Sequence, residues 1–201
     1  MARVPATERR ADLVQAAIRV ATREGLAATT TRRIAQELGI SVGIVHYCFR
    51  SKEELLHEVI RVIAEAQVVA AREAISPEAD VRAGVRNAFL GFWGLVEATP
   101  DAQLLTYELT RWALRNAETE PLAREQRASQ LAGIVQLLDT ISASAGVTWA
   151  RPVEELARMA LAVTDGVTLG WLVDRDTKAA ITSLEAFADQ LIILADPRRT
   201  D

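Results

Sequence analysis

The sequence predicts an all-α protein of about nine helices, divided into two parts. Apolar residues recur at helical spacing along all 201 residues, and no stretch alternates apolar and polar side chains as a half-buried strand does. Capping residues and first-turn prolines mark helix starts, and glycines mark several ends. Residues 1–54 hold nine Lys/Arg and six Asp/Glu, while the whole chain carries a net charge of −4. The first part is therefore at 9 − 6 = +3 and the remainder at −4 − 3 = −7.

Three helices are predicted in the first part, residues 1–54. Their expected bounds in chain order are Thr7 to Gly25, Thr29–Thr31 to Gly39, and Ser41 to about Cys48. Threonine and serine oxygens accept hydrogen bonds from the free backbone N–H groups at a helix start. Glycine readily adopts the left-handed conformation of the residue that follows a helix. A capping box at Ser51–Glu54 then opens a linking helix, residues 51–74, into the second part, residues 55–201.

Prolines and polar caps predict the later helix starts in the same way. The expected starts are Ser76-Pro77, Pro100, Pro121, Pro152 and the capping box Thr182–Glu185. Residues 146–149 and 174–176 are predicted to be loops. The second part is therefore expected to be helical, with no sheet.

The spacing of the second and third helices predicts a helix-turn-helix. Gly39 lets the chain turn sharply between them, because glycine tolerates positive φ. The apolar residues expected to pack both helices against the first are Ile34, Leu38, Ile40, Ile44 and Val45. The other face of the third helix is then free to enter the major groove of DNA.

Eight residues are predicted to contact DNA. They are Thr31, Arg32, Ser41, Val42, Gly43, His46, Tyr47 and Lys52. Gly43 leaves room for close approach, and Val42 can meet a thymine methyl group. His46 and Tyr47 can donate to phosphates, which fix the register of the protein on DNA. Lys52 lies at a helix N-terminus, where backbone N–H groups also favour a phosphate.

Three neighbouring residues have a second interpretation. Tyr47 and Phe49 could both fill a small core; we favour the core for Phe49 and the phosphate contact for Tyr47. Cys48, the single cysteine, could act as a redox sensor, but a small packed residue is the favoured interpretation.

The segments Thr30–Ala35 and Gly39–Leu56 carry a family resemblance. Through them, residues 7–60 resemble the DNA-binding domain of the tetracycline-repressor (TetR) family. The second part is similar to the betaine-regulator-like branch at residues 107–109 and 165–174. The resemblance implies a homodimer on a palindromic operator and a small-molecule effector in the second part. It implies phosphate contacts by Thr31, Tyr47 and Lys52, and base or phosphate contacts by Arg32, Val42 and His46. His46 and Cys48 depart from the usual residues of the family.

The helix expected after Pro152 is apolar on nearly every face, which predicts burial both in the core and against a partner. Gly166 and Gly170 lie four residues apart and allow a second helix to approach. The last helix adds a further apolar stripe. The predicted homodimer interface comprises Met159, Gly166, Gly170, Leu184, Phe187 and Leu191.

Aromatic residues on the middle helices predict a mostly apolar ligand pocket with a few polar groups. Its expected members are Phe89, Trp93, Leu104, Tyr107, Glu108, Trp112 and Asp165. Asp165 is expected to be buried, so that a ligand, Arg111 or Arg115 must pair with it. The alternative is that these aromatic residues fill the core.

These observations predict a ligand-responsive regulator of transcription, in particular a repressor that a small-molecule effector releases from its operator. The alternative is a DNA-binding protein controlled by a protein partner, with a filled core. An enzyme has little support, because the sequence has no glycine-rich phosphate loop and no metal-spaced His/Cys cluster, and no cofactor is predicted. We expect a cytoplasmic protein without membrane contact, since residues 1–7 are unlike a signal peptide and no uncharged apolar run reaches roughly 18 residues.

Overall fold

A computed structural model describes residues 5–76, 79–115 and 117–197. Over these residues the chain forms nine helices and one short two-stranded sheet, so the predicted all-α class is confirmed. The helices are α1 (Ala6–Glu24), α2 (Thr31–Leu38), α3 (Val42–Cys48), α4 (Lys52–Glu73), α5 (Val81–Ala98), α6 (Pro100–Leu114), α7 (Glu120–Ala145), α8 (Val153–Asp174) and α9 (Thr177–Ile193).

The first four helices lie close to their predicted bounds. The Thr30 side chain accepts a hydrogen bond from the Arg33 backbone N–H at 3.1 Å, and Gly39 ends α2 in the left-handed conformation at φ 64°. The Ser51 hydroxyl accepts from the Glu54 backbone N–H at 3.1 Å. The Glu54 carboxylate in turn accepts from the backbone N–H of Arg50, one residue before the serine. Side-chain oxygens therefore accept hydrogen bonds from free backbone N–H groups at the starts of α2 and α4.

Two later helix starts were predicted wrongly, because an aspartate caps each helix at another position. Helix α5 begins at Val81, where the Asp80 carboxylate accepts from the Ala83 N–H at 2.7 Å; of the predicted Ser76-Pro77 start, Pro77 lies outside the described residues. Helix α9 begins at Thr177, and Asp176 accepts from Ala179 N–H at 2.9 Å. The predicted box at 182–185 therefore lies inside α9.

The segment at 146–149, predicted to be a loop, contains a short strand. Strand β1 (Val147–Trp149) pairs antiparallel with β2 (Ala195–Pro197). The Trp149 indole N–H also donates to the Leu138 carbonyl oxygen at 3.3 Å. Three residues are too few to show the alternation by which a strand is predicted from sequence.

Chain contacts group the molecule into two compact units. The first comprises Met1–Ile63 and Asp101–Gln126. Its core holds residues of α1 to α4 together with Leu105 and Leu109 of α6. The sequence boundary at 54/55 did not anticipate that α6 belongs to this core, because the contact joins segments far apart in the chain.

The second compact unit comprises Ala64–Pro100 and Arg127–Asp201. One cluster in it is formed by residues such as Val85, Ile141 and Leu156, and another by Trp93, Trp171 and Leu184 with their neighbours. Helix α8 alone among the described helices is long and apolar enough to cross a membrane by length and composition, with 39% of its most apolar window buried. That is weak evidence for a membrane span, since core helices pass the same test.

Candidate DNA-binding face and internal cavity

The surface of α3 that faces away from the core carries the predicted DNA contacts. Tyr47 is 77% exposed, and the other exposed members are Arg32, Ser41, Gly43 and His46. Thr31, Val42 and Lys52 are half-buried. On the opposite side Ile34 and Val45 are fully buried, and Leu38, Ile40 and Ile44 pack against the same core. The helix-turn-helix thus has an apolar scaffold side and an accessible polar side.

Gly43 has no role in packing within the chain. A Cβ built at this position would meet only the Ser41 hydroxyl, at an ordinary 3.8 Å. Glycine inside a helix costs about 1 kcal/mol relative to alanine. Nothing in the chain therefore requires glycine here, in keeping with a surface that another molecule approaches closely.

The arginines of the first compact unit fall into two groups. Arg23 and Arg33 both bind Glu24 and Glu37 across α1 and α2 at 2.7–3.0 Å. In contrast, the cations flanking α3 form no ion pair with any described residue. They are Arg32, Arg50 and Lys52. Positive charge is thus left available beside the recognition helix and neutralised further away.

The shared arginines also determine the ionisation of the two acids. Arg23 and Arg33 lower the pKa of Glu37 from 4.5 to about 2, the hydrogen bond from Arg23 being the largest cause. Glu24 has a lowered pKa for the same reason, with the hydrogen bond from Arg33 first. Both carboxylates therefore remain charged at a lower pH than unpaired glutamates do, and each binds an arginine of the other helix.

Arg10 is a structural residue that no sequence pattern indicated. Its guanidinium donates to the Cys48 carbonyl oxygen at the end of α3 and, at 3.1 Å, to the Glu54 carboxylate in the first turn of α4. It also lies 4.1 Å from the centroid of the buried Phe49 ring. Arg10 thus fixes the turn between the recognition helix and α4, and Phe49 is a core residue as favoured from sequence.

A small cavity lies inside the second compact unit. Its volume is about 80 Å³. Five helices contribute to its wall: α4, α5, α7, α8 and α9. The larger side chains among its lining are Gln67, Phe89, Phe92, Gln130, Ile134, Leu137, Leu161 and Leu191. The core is therefore not completely filled.

The predicted pocket residues are only partly brought together. Phe89 lines the cavity, and Trp93 joins Phe89 along a neighbouring groove of about 390 Å³ between α5 and α9. Four other candidates lie on α6 in the first compact unit and do not line this cavity. They are Leu104, Tyr107, Glu108 and Trp112. Leu104 is 48% exposed, and Trp112 packs against the first core.

Asp165 differs most from its prediction. It is half-exposed rather than buried, and its carboxylate binds the Arg127 guanidinium at 2.5 Å. Neither Arg111 nor Arg115, the partners considered from sequence, provides this contact. Asp165 also does not line the cavity. The prediction failed because the direction in which a side chain points on an apolar helix depends on the neighbouring helix.

Helix α4 is held closely in the second compact unit by two glycines. A Cβ at Gly91 of α5 would collide with the Ala70 carbonyl oxygen and lie 2.6 Å from the Ala74 Cβ. A Cβ at Gly133 of α7 would lie 3.1 Å from Val68. The end of α4 that lines the cavity therefore touches both neighbours without free space.

The exposed residues of α8 between 159 and 173 are apolar or glycine, and charged residues flank them at Arg158 and Asp174. Met159, Leu169 and Val173 are 42%, 49% and 82% exposed, and Gly166 and Gly170 have no atom within 4 Å of a built Cβ. The prediction that Leu184 and Leu191 of α9 lie in the dimer interface is wrong. They are 3% and 1% exposed and belong to the core of their own chain. Phe187 is half-buried and packs edge-on against Phe89.

Known proteins share this arrangement. The family model described as bacterial regulatory proteins, tetR family, matches residues 13–59. The nicotine-responsive transcriptional repressor HdnoR of Paenarthrobacter nicotinovorans is 28% identical over 172 residues, which cover 86% of this chain and 88% of that protein. The BetI regulator of Rhizobium meliloti is 30% identical over 186 residues, covering 89% and 83%. The multidrug binding protein EbrR, crystallised with imidazole, has a TM-score of 0.69 at 28% identity, covering 96% and 99%.

An exposed recognition helix on a helical core, followed by a helical unit with an internal cavity, defines a DNA-binding transcriptional regulator. The chain belongs to the TetR family. Regulators of this family bind DNA as dimers and bind small-molecule ligands. The relatives found are transcription regulators, which agrees with the expectation that the chain is not an enzyme.

Proposed function

We propose that this protein is a ligand-responsive repressor that binds a palindromic operator as a homodimer in the bacterial cytoplasm. The observation that carries the DNA-binding role is the exposed side of α3, with Tyr47, Gly43 and His46 accessible and unpaired Arg32 and Lys52 on either side. Major-groove recognition requires such a free helix face, and phosphate binding requires free cations.

Five of the eight predicted DNA contacts fall into two groups by chemistry. Lys52 and Tyr47 bind phosphates, while Arg32, Val42 and the backbone at Gly43 face base edges or the groove wall. Selection from a random duplex pool tests the proposal: we expect enrichment of a palindrome with half-sites about one helical turn apart. Recovery of duplexes without any common sequence would contradict it.

Salt dependence tests the phosphate role of Lys52 separately. Each phosphate contact adds a slope of about −0.9 to the plot of log K against log salt concentration. Lys52→Ala should therefore flatten the slope by about one and weaken binding to all sequences. An unchanged slope would exclude Lys52 from the phosphate contacts.

The proposed dimer forms through the exposed side of α8. The apolar residues of this side and of the end of α9 are Met159, Leu169, Val173 and Ile193. Between the first two, Gly166 leaves the backbone open to a helix of the second copy, and Gly170 does so one turn further on. A face of this kind is apolar enough to be covered in a stable homodimer.

Regulation is proposed to run through α4. The same helix carries Lys52 at its N-terminus and lines the cavity at Ala64, Gln67, Val68 and Ala71. A cavity of about 80 Å³ is smaller than the roughly 300–1,000 Å³ of ordinary ligand sites. An effector must therefore displace the wall, and α4 with it. To release the operator, the effector must bind this displaced state more tightly than the state that binds DNA. The alternative, control by a protein partner, has less support because the core contains this cavity.

Titrating the operator complex with an effector that binds the protein tests the proposed regulation. We expect the effector to weaken operator affinity by about 5–150-fold, the usual range of allosteric coupling. An effector that binds the protein without changing operator affinity would contradict release from DNA while leaving DNA binding itself intact.

A further inference from the structure

We infer that the effector is an uncharged, mainly apolar molecule about the size of one six-membered ring, and that its hydrogen-bonding groups are neutral. The inference rests on the proposed effector role of the cavity between α4, α5, α7, α8 and α9. It concerns the chemistry of that cavity, which the family as a whole does not fix.

None of the described residues that line the cavity is charged. The wall is made of alanine, valine, leucine, isoleucine and phenylalanine side chains, and its polar members are Gln67, Gln130 and Thr164. The Thr164 hydroxyl donates to the Ala160 carbonyl oxygen at 3.0 Å, so its oxygen can only accept a further hydrogen bond. The polar groups of the described wall are therefore all neutral: two amides and one hydroxyl.

A charged effector would have no counter-charge in such a wall. Burying an ion without a partner costs several kcal/mol, even after the protein relaxes. The nearest candidate from sequence, Asp165, is bound to Arg127 and does not line the cavity. The relative HdnoR is described as nicotine-responsive, and nicotine carries a basic amine. None of the described residues that line the cavity is an acid that could balance such a cation.

The described wall residues include only two aromatic side chains, too few to surround a cation with ring faces. Phe89 and Phe92 both lie on α5, and the Phe89 ring is already packed edge-on against Phe187 at 5.8 Å between centroids. Cation binding by aromatic rings needs ring faces turned toward the ligand. The wall therefore recognises shape and apolar area rather than positive charge.

The cavity volume limits the size of the effector. At about 80 Å³ the cavity is smaller than the roughly 150 Å³ that holds benzene in an engineered protein core. The displacement of the wall proposed above therefore needs to be only large enough for one ring or a short branched chain. Long acyl chains and multi-ring compounds require a larger rearrangement.

Pairs of probes with the same shape and different charge test this inference. The first pair is 3,3-dimethylbutan-1-ol and choline. The two have the same shape, but choline has a cationic nitrogen where the alcohol has a neutral carbon. The second is 2-phenylethanol and 2-phenylethylammonium. Calorimetry and thermal shift on the full chain should show binding of the neutral member at least about tenfold tighter in each pair, because the ion must be buried unpaired. Equal or tighter binding of the cations would overturn the inference.

Two variants show whether the cavity is the binding site. Gln130→Glu places a carboxylate in the wall and should shift the preference toward the cation; Gln136→Glu, on the exposed side of the same helix, should not. Ala160→Leu fills the cavity and should abolish binding of the neutral probes. Neutral binding that survives Ala160→Leu would place the site elsewhere and overturn the inference.

Operator binding by the same samples separates the two proposals. If no neutral probe binds but the operator is bound, the assignment of effector class fails and the DNA-binding role stands. If cations bind in the cavity and release the operator, the effector class is wrong and the proposed repressor function stands. Loss of operator binding in folded wild-type protein would contradict the proposed function itself.

Discussion

Arg32 and Arg33 are adjacent in the sequence, but the fold gives them different surroundings. Arg32 is exposed and forms no ion pair with a described residue, whereas Arg33 binds Glu24 at 2.7 Å and Glu37 at 3.0 Å. Helical geometry turns successive side chains by about 100°, so one of two neighbours can face DNA while the other faces α1. Their roles therefore differ although their chemistry is the same.

Replacing each arginine with alanine should separate DNA affinity from stability. Arg32→Ala should weaken operator binding by about 1–3 kcal/mol and leave the urea midpoint unchanged. Arg33→Ala should lower the urea midpoint, because it removes the ion pair with Glu24 between α2 and α1 and the pair with Glu37 within α2, and it should change affinity less. Fluorescence anisotropy and urea unfolding measure both. The opposite assignment of effects would show that Arg33 is the DNA contact.

Gly43 allows a second residue-scale prediction. Gly43→Ala should stabilise the protein by about 0.5–1 kcal/mol, because alanine favours the helix and the new Cβ has space. The same methyl group should weaken operator binding by about 1–3 kcal/mol if α3 approaches DNA closely at this point. Unchanged operator affinity in the stabilised variant would remove Gly43 from the DNA contacts.

Glu37 predicts how the first compact unit responds to acid. Its pKa is about 2 in the folded chain against 4.5 when unpaired. Because the folded value is depressed, its contribution is present above pH 4.5 and is lost as the pH falls toward 2. Glu37→Gln should therefore show a smaller fall in urea midpoint between pH 4.5 and 2 than the wild type. Equal falls in both proteins would assign acid sensitivity to other carboxylates.

At the scale of elements, the proposed regulation depends on α4, because this helix carries the predicted DNA contact Lys52 and also lines the cavity. Arg10 fixes the turn before its first residues, and Gly91 and Gly133 fit against its second half. Close contacts leave two helices little freedom to move independently. Changes in the cavity wall are therefore expected to shift α4 rather than to be absorbed locally.

Gly91→Ala tests this coupling. The new Cβ has no room beside the Ala70 carbonyl oxygen, so we expect a loss of about 1–3 kcal/mol in unfolding free energy and weaker operator binding without any effector. Gly94→Ala on the same helix is the control, since its Cβ meets no atom within 4 Å. Matching operator affinities for the two variants would argue against transmission through α4.

At the scale of the whole molecule, a two-fold dimer would present two recognition helices to one palindrome. Such an arrangement raises affinity because the second half-site binds without a second loss of translational freedom. The exposed apolar side of α8 is the surface available for it, and it includes Leu169 and Val173.

Leu169→Glu should yield a monomer, because two buried carboxylates would face each other across the interface. Leu90→Glu is a matched control, since Leu90 on α5 is 50% exposed and Leu169 is 49% exposed. Light scattering after gel filtration gives the mass, and anisotropy should show a large loss of operator affinity for Leu169→Glu alone. A dimeric Leu169→Glu protein would place the interface elsewhere.

The sequence by itself determined the helix-turn-helix, because its information is local. Caps at Thr30 and Ser51, the left-handed Gly39 and the apolar spacing from Ile34 to Val45 all act within a few residues of each other. These local signals also gave the all-α class and the separation of charge.

Only the tertiary structure decided which side chains meet across distant segments. It paired Asp165 with Arg127, buried Leu184 and Leu191 in their own core, and assigned α6 to the first core rather than to the cavity. Apolar spacing shows that a helix face is buried but not against which neighbour, since any apolar surface satisfies the hydrophobic effect. The helix-turn-helix and its apolar side were therefore predictable from the sequence, and the cavity was not.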